Sequence, residues 1–322
     1  MFSKINKLIN KYDKIIIHRH KNPDMDAIGS QVGLYYLIKE NHPYKEVYVV
    51  GDQNKFDKDN LMMDIGDKVF ENALSIIVDV AVSHLISDDR YKLAKEVLII
   101  DHHNNEPDIE NAVTFIDTSY SSAAEYIVDI FKNLKYKFNK SASSYLLWGM
   151  ITDTGRFQWM KDAKRIFEIA SFLSENGAET RDFYNWLYTE TLEERKMRNF
   201  FQSNYVYEDN VAYLKNNKEV IDKFDVDFFT ISRGMVNLAA GIEEIKIWLN
   251  FTYNKASDKI IGEFRSRDIV IVDIAKKYGG GGHDYACGAT LNNWDEVDNV
   301  INDYKKLIKE RNNGQKKVIR KN

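Results

Sequence analysis

Short apolar runs rich in Ile and Val recur through the first half of the chain, each followed by polar residues. They occupy positions 15–17, 47–50, 76–78 and 97–100. Runs of this length and composition are typical of strands buried on both faces of a parallel sheet. Apolar residues at helical spacing from 27 to 39 predict a helix after the first strand. The repeated order of strand, helix and strand predicts an α/β fold with a doubly wound parallel sheet.

The pattern changes in the second half of the chain. Helical spacing predicts helices over 121–132, 142–152 and 163–175, followed by a charged stretch, 191–196, interpreted as a linker helix. Strands with alternating polarity then predict a smaller second α/β domain with a mixed sheet. The strands are predicted at 246–251 and 260–264, and helices are predicted near Val236 and Ile274. The expected boundaries are 1–188 for the first domain, 189–210 for the linker and 211–322 for the second domain.

Composition limits what this fold can bind. Lys and Arg total 45 against 49 for Asp and Glu, a formal charge of -4, so no basic coat for long duplex nucleic acid is expected. The single cysteine, Cys287, gives no partner for an internal disulfide and fits a reducing compartment. No run of about 18 apolar residues occurs, and the N-terminus lacks the apolar core of a signal peptide. We therefore expect a cytoplasmic protein that does not enter a membrane.

Acidic residues stand where the predicted strands end. Asp79 and Asp101 directly follow two of the apolar runs, and His20, Asp24 and Asp26 lie on the loop after the first strand. In an open parallel sheet this edge is the ligand crevice. Carboxylates brought together there would repel one another unless divalent cations neutralised them. Oxygen ligands with one or two imidazoles suit Mn²⁺ best, with Mg²⁺ or Co²⁺ as substitutes.

Simpler interpretations apply to some of these residues. A single Asp at a strand end is more often a helix cap than a metal ligand, but four in register favour a metal site. His18 precedes the loop and is predicted to be a structural histidine. Large aromatics at apolar positions are more often core than platforms for nucleobases, and we predict core positions for them. This prediction applies to three tryptophans, Trp159, Trp186 and Trp248.

The motif Asp101-His102-His103 after a buried strand resembles the signature of the DHH phosphoesterase superfamily. The acids and the histidine described above precede the motif in the family's order, and the segment 149–157, which contains Asp153, follows it. The second half is similar to the DHH-associated nucleotide-binding domain, on residues 264–267 and on the glycine run that ends at His283. The resemblance covers nearly the whole chain, and within the superfamily it is strongest to stand-alone nanoRNase and pAp phosphatase proteins.

The resemblance implies a separate role for each group of site residues. One metal would be held by His20, Asp24 and Asp79, and a second by Asp26, Asp79, His102 and Asp153. Asp101 would orient a histidine, His103 would face the substrate phosphate, and Arg156 would be a further phosphate contact. In the second domain, a clamp for the other end of the substrate would comprise Arg265, Ser266, Gly280, Gly281, Gly282 and His283.

The function implied by the resemblance is Mn²⁺-dependent hydrolysis of very short RNA to 5′-mononucleotides and of 3′-phosphoadenosine 5′-phosphate (pAp) to AMP. The active site is expected in the cleft between the domains, and a homodimer is expected by analogy. A phosphodiesterase for cyclic di-AMP or linear pApA is an alternative with the same motifs. A catalytically silent nucleotide-sensing module is an alternative of another class.

Three residues depart from the family's pattern. Met25 stands where Gly is frequent, Asp284 stands where Pro is common, and His84 lies where relatives often carry Arg. None of them removes an expected metal ligand. The change at His84 leaves open how substrate is held beside Asp79.

Overall fold

A computed structural model describes residues 2–53, 56 and 61–319. The chain forms two compact units, Met1–Thr189 and Glu190–Asn322. The boundaries expected from the sequence, with a separate linker, stay a prediction.

The first unit is built on a five-stranded parallel sheet. Its strands are β1 (Lys14–His18), β2 (Glu46–Val49), β3 (Leu74–Val78), β4 (Glu96–Asp101) and β5 (Val113–Ile116). They are ordered β2-β1-β3-β4-β5, and all neighbouring strands are parallel. The predicted parallel sheet is confirmed, and β5 is an addition to it. The strand order reverses between β1 and β3, where such sheets bind their ligands beyond the carboxyl ends of the strands.

Within the described part of this unit, six α-helices accompany the sheet. They are α1 (Ser3–Lys11), α2 (Met25–Asn41), α3 (Ala123–Asn133), α4 (Lys140–Asp153), α5 (Ala163–Glu175) and α6 (Arg181–Tyr188). The four helices predicted within this unit, α2 to α5, are confirmed to within a few residues. Helix α6 was not predicted as a separate element. The apolar faces of these helices and of the sheet form one large core.

Helices α2 and α4 approach each other closely because glycines face the contact. A Cβ atom on Gly29 would lie 2.4 Å from the backbone oxygen of Tyr145, and one on Gly149 would lie 2.8 Å from Oδ1 of Asp26. Real Cβ atoms do not come this near to such groups. The two glycines therefore let α4 lie directly against the start of α2, where Asp24 and Asp26 are found.

The second unit has a mixed sheet, as predicted, and this sheet has six strands. Its strands are β6 (Val206–Glu208), β7 (Val211–Asn216), β8 (Ile247–Asn254), β9 (Lys259–Ser266), β10 (Gly281–His283) and β11 (Ala286–Leu291). The order is β10-β11-β9-β8-β7-β6, with β7 and β8 parallel and the other pairs antiparallel. Its helices are α7 (Leu192–Ser203), α8 (Lys218–Ile221), α9 (Phe228–Ser232), α10 (Val272–Lys277) and α11 (Trp294–Ile319).

The charged stretch that we interpreted as a linker helix forms α7. Thr191 and Glu194 make a capping box at its start. Phe251, Phe264 and Tyr304 belong to a core within the second unit. Among helices of the described residues, none is both long enough and apolar enough to cross a lipid bilayer.

We predict that Gly29→Ala lowers the free energy of unfolding by about 1 to 2 kcal/mol, since overpacking against backbone outweighs the gain in helix propensity. Chemical denaturation followed by circular dichroism measures the change. Gly66→Ala is the matched control, because a Cβ atom there would meet nothing within 4 Å. Equal stability of the two variants would contradict the close approach of α2 and α4.

Candidate metal centre and active site

Asp79 lies at the centre of the site, directly after β3. Its side chain is 2% exposed, and its backbone has a φ of 59°, a left-handed conformation that is uncommon for a residue other than glycine. The amide of Asp79 donates to the carbonyl of Ile100 at the end of β4, at 3.0 Å. Strained backbone of this kind persists where surrounding structure enforces it, and it is frequent at functional sites.

The loop after β1 brings His20 to Asp79. His20 forms an isolated antiparallel bridge with Ile86, and the amide of Lys21 donates to the carbonyl of Leu85 at 2.7 Å. Nδ1 of His20 lies 2.7 Å from the carbonyl oxygen of Lys21. The ring is thereby turned so that its Nε2 lies 3.5 Å from Oδ2 of Asp79.

Asp24 and Asp26 come from the start of α2 and have different surroundings. Oδ1 of Asp24 accepts hydrogen bonds from the amides of Asp26 and Ala27, both at 3.0 Å, so Asp24 caps the helix. The same Oδ1 is 3.9 Å from Nε2 of His20. Asp26 is buried, and its carboxylate accepts from the amides of Ala123 at 2.7 Å and Ala124 at 3.0 Å. The first turn of α3 therefore holds the Asp26 carboxyl group in position.

Asp101 holds the two histidines that follow it. Its Oδ1 accepts from the amide of His102 at 2.8 Å and from that of His103 at 3.2 Å, and lies 2.8 Å from Nδ1 of His103. The His103 ring is thus fixed with Nε2 directed away from Asp101, and its side chain is 43% exposed. This geometry supports the orienting role expected for Asp101.

The imidazole of His102 is where three carboxylates meet. Its Nε2 is 3.4 Å from Oδ1 of Asp79, 3.6 Å from Oδ2 of Asp153 and 3.8 Å from Oδ2 of Asp26. Asp153 reaches this point from the last residue of α4. Its side chain is 30% exposed, so this part of the site is open to solvent.

Three groups of side chains could each hold a metal ion, since the ligand atoms in each group lie within 4.8 Å of one another. The groups are His20, Asp24 and Asp79; Asp26, His102 and Asp153; and Asp79, His102 and His103. All six side chains expected to bind metal are therefore brought together at one edge of the sheet. Asp101 belongs to none of the three groups.

The charges of these side chains are strongly interdependent. Burial opposes charging of the imidazoles, but the nearby Asp79 carboxylate raises the pKa of His20 to about 9 and that of His102 to about 10. Burial likewise opposes charging of Asp79, but the imidazoles of His102 and His20 lower its pKa to about 2. Burial and the carboxylates nearby raise the pKa of Asp153 to about 6 and that of Asp26 well above its ordinary value. Without cations, the histidines therefore hold protons in the places where metal would bind.

The donor atoms fit divalent cations. Oδ1 of Asp79 is buried and makes no hydrogen bond within the described residues, although the His102 ring is close to it. In the metal-free protein the protonated His102 ring is the cation nearest to this buried oxygen, and a bound metal ion would take the place of its proton. The surrounding oxygen and imidazole ligands are those of Mn²⁺ and similar ions. Two groups of ligands that adjoin at Asp79 and His102 provide donors for two cations.

One contact behind His102 was not predicted from the sequence. Nδ1 of His102 lies 3.4 Å from the carbonyl oxygen of Tyr120. The ammonium of Lys161 donates to that same oxygen at 2.9 Å and to the carbonyl of Thr118 at 2.7 Å, and the Lys161 amide donates to Ser121 at 2.9 Å. Lys161 thereby fixes the carbonyl that orients the histidine. In the sequence, a lysine in the charged run 161–165 is indistinguishable from a solvated surface residue.

A partly buried ion pair also contacts this loop. Nε of Arg165 donates to Oε1 of Glu125 at 2.7 Å, and Glu125 is fully buried on α3. The guanidinium also lies 4.0 Å from the centre of the Tyr120 ring. Lys161 and Arg165 together anchor the loop between β5 and α3.

Arg156 follows Asp153 on a tight turn. Gly155, Arg156 and Phe157 have successive positive φ values of 56°, 63° and 63°. The guanidinium of Arg156 lies 5.9 Å from the centre of the Tyr188 ring. Its expected contact with a phosphate stays a prediction.

In the second unit, the pairing of β10 with β11 and of β11 with β9 aligns two side chains of the expected clamp, His283 and Arg265. His283 pairs with Ala286, and Ala286 pairs with Arg265, so the three side chains share one face of the sheet. The Arg265 guanidinium donates to the carbonyl of Phe264 at 2.8 Å and to Glu263 at 3.2 Å.

Some residues of the glycine run make backbone hydrogen bonds within the second unit. The amide of Gly280 donates to the carbonyl of Ala275 at 2.9 Å. Gly281 and Gly282 belong to β10, where Gly282 has a φ of 131°. The hydroxyl of Ser266 donates to the carbonyl of Ile269 at 2.5 Å. Anion binding by these residues stays a prediction.

Comparison with known proteins agrees with this architecture. The model of the DHH family N-terminal domain matches residues 14–150, and that of the DHHA1 domain matches residues 223–310. The bifunctional oligoribonuclease and PAP phosphatase NrnA of Bacillus subtilis is 33% identical over 315 residues, which are 96% of this chain and 99% of that protein. The chain belongs to the DHH family.

Two further proteins are similar over most of this chain. A crystal structure of an exopolyphosphatase-related protein from Bacteroides fragilis has a TM-score of 0.82 at 26% identity, covering 96% of this chain and 97% of the other. The cyclic-di-AMP phosphodiesterase PdeA of Listeria monocytogenes is 26% identical over 87% of this chain but only 45% of its own length.

The departures from the family's pattern leave these ligands in place. Met25 is buried in the core at the first position of α2. His84 is exposed on a short helical turn, where its carbonyl accepts from the ammonium of Lys21 at 2.9 Å. The carbonyl of Asp284 accepts from the amide of Ile271 at 2.8 Å.

We predict that binding of Mn²⁺ to the metal-free protein releases protons at pH 7 and becomes tighter as the pH rises from about 6 to 8.5. The imidazoles whose pKa values are raised to about 9 and about 10 must lose their protons to bind metal. Calorimetry in buffers of different ionisation enthalpy counts the released protons. His42→Gln, at the far end of α2, is the control that should behave as wild type. Binding without proton release and without pH dependence would contradict the proposed ion pairs.

We predict that Lys161→Met weakens Mn²⁺ binding by about 10-fold, the lower end of the effect expected when the support of a metal-binding histidine is removed. The carbonyl of Tyr120 would lose the donor that fixes it. Calorimetric titration with Mn²⁺ measures the change. Lys164→Met is the matched control, because its side chain is 83% exposed and pairs only with Glu168 among the described residues. Equal affinities for the two variants would rule out the role of Lys161.

Proposed function

We propose that this protein is a two-metal hydrolase of phosphoester bonds that acts on very short oligoribonucleotides and on pAp. The observation that carries the proposal is the pair of ligand groups meeting at Asp79 and His102. Two adjoining divalent cations are the usual arrangement for in-line displacement at phosphorus. When bound, they supply Lewis acidity and lower the pKa of water.

The protein's own residues would carry out the remaining tasks. His20, Asp24 and Asp79 would hold one cation, while Asp26, Asp79, His102 and Asp153 would hold the other. Mn²⁺ is the proposed ion, with Mg²⁺ or Co²⁺ as substitutes, because the ligands combine carboxylates with imidazoles.

His103 is the proposed group that acts on the substrate. Its hydrogen bond to Asp101, together with the charge of Asp79, raises the pKa of the ring above its ordinary value. A protonated, half-exposed imidazole can donate a hydrogen bond to a phosphate oxygen and can protonate the leaving oxygen. Asp101 would keep the ring oriented during this transfer.

The identity of the substrate rests on the relatives. The Bacillus protein, which aligns over nearly its full length, is named for oligoribonuclease and PAP phosphatase activities. We infer the same substrates here, with 5′-mononucleotides and AMP as products. The proposed clamp of Arg265, Ser266, Gly280–Gly282 and His283 would bind the far end of the substrate. A cytoplasmic location fits the lone cysteine, and a homodimer stays an expectation by analogy.

Turnover of cyclic di-AMP or pApA is the second candidate, favoured by the more distant similarity to the Listeria enzyme. A silent nucleotide sensor is disfavoured because every expected metal-binding side chain is present and gathered in one place.

We predict that the Mn²⁺-loaded protein rapidly converts an RNA dinucleotide and pAp. An RNA of about 20 nucleotides, beyond the ~4–16 nucleotides that a compact single-strand site covers, should stay nearly intact, as should cyclic di-AMP. Chromatography of labelled substrates measures the rates. The Asp101→Ala/His102→Ala variant should fall to background, whereas His42→Gln should match wild type.

The substrate panel separates the candidates. Preferential hydrolysis of cyclic di-AMP would support the second candidate, a phosphodiesterase that degrades this second messenger. Tight nucleotide binding with no cleavage of any substrate would support the sensor. Fast degradation of the long RNA would contradict the proposed limit on length.

A further inference from the structure

Trp159 is exposed, contrary to the core position predicted for it. Its side chain is 71% exposed, whereas Trp248, for which the same prediction was made, is 9% exposed and buried. No other tryptophan among the described residues is exposed. Large aromatic side chains are usually buried in a monomer, so an exposed indole requires a separate explanation.

The backbone around Trp159 is held rigidly. The amides of Gln158 and Trp159 both donate to the carbonyl of Thr154 at 2.9 Å, and the amide of Phe157 donates to the hydroxyl of Thr154 at 3.0 Å. The turn also contains the three successive positive φ values at 155–157. Strained conformations of this kind persist only where other contacts enforce them, and they concentrate at ligand-binding sites.

The indole ring packs directly on Gly155. A Cβ atom at that position would lie 2.3 Å from a ring carbon of Trp159, so only glycine allows this contact. The glycine supports part of the ring, and the large exposed fraction leaves the remainder open to solvent. The ring is therefore a pre-oriented flat apolar surface.

Both ends of the segment that carries Trp159 are tied to the metal site. Gly155 lies two residues after Asp153, whose carboxylate is 3.6 Å from His102. Lys161 lies two residues after Trp159, so their Cα atoms are within about 8 Å. The Lys161 ammonium donates to the Tyr120 carbonyl that faces His102. The segment that carries Trp159 is therefore anchored at one end next to Asp153 and at the other end by the hydrogen bonds of Lys161.

We propose that Trp159 is a stacking platform for a nucleobase of the substrate, whose phosphate lies at the metal centre. The inference rests on the proposed function, because it requires a nucleotide. Stacking on an aromatic ring tolerates every base, since all bases have a π face. Such a platform would favour nucleotides over other phosphate esters without selecting one base.

The test compares ligands with and without a base in wild type, Trp159→Ala and Trp159→Phe. Steady-state kinetics use pAp and its abasic analogue, in which hydrogen replaces adenine. Trp159→Ala should raise KM for pAp by about 5- to 150-fold, the range for loss of one stacked base, and change kcat little. Wild type and Trp159→Ala should hydrolyse the abasic analogue with the same kcat and KM. Trp159→Phe should recover most of the affinity for pAp.

Tyr44→Ala is the matched control, because Tyr44 is 99% exposed on the same unit and should have no effect. An unchanged KM for pAp in Trp159→Ala, or an equal loss on the abasic analogue, would overturn the inference. So would a fall in melting temperature, relative to Tyr44→Ala, that accounts for the lost activity.

A binding measurement separates this inference from the proposed function. Calorimetry compares AMP with ribose 5-phosphate and requires no hydrolysis. Wild type should prefer AMP, and Trp159→Ala should lose that preference. If wild type cleaves neither pAp nor the dinucleotide, the proposed function fails, while the preference for AMP still decides the role of Trp159.

Discussion

The repulsion between carboxylates gathered at one edge of the parallel sheet is the constraint on which the rest of the site depends. Asp79 is buried at the end of β3, and Asp26 and Asp153 reach the same imidazole, that of His102. Protonated histidines can balance these charges in the metal-free protein. Divalent cations can replace these protons and bind the buried Oδ1 of Asp79 directly, an oxygen that makes no hydrogen bond within the described residues.

Several features of the fold make sense as ways to hold these charges in place. The glycines between α2 and α4 bring Asp153, at the end of α4, close to the start of α2. The first amides of α3 bind the carboxylate of Asp26. Carbonyl oxygens of Lys21 and Tyr120 face the second ring nitrogens of His20 and His102. Each imidazole thus turns its Nε2 toward the carboxylates.

The sequence predicted the sheet and the gathering of the ligands because both follow from simple patterns. Buried parallel strands give continuous apolar runs, and the polar residues that end them must meet at one edge. Contacts across long stretches of chain leave no such pattern, which is why Lys161 and the pair of Glu125 and Arg165 were missed. The exposure of Trp159 also depends on tertiary structure, because an aromatic residue after a glycine-containing turn has the same sequence signal in the core as in solvent.

The measurement that tests the two-metal account most directly is X-ray diffraction from Mn²⁺-loaded crystals at the manganese absorption edge. We expect two anomalous peaks about 3.5 to 4 Å apart, with the carboxylate of Asp79 contacting both. One peak should lie against His20 and Asp24, and the other against Asp26, His102 and Asp153. A single peak, or a second peak that does not touch Asp79, would contradict the account.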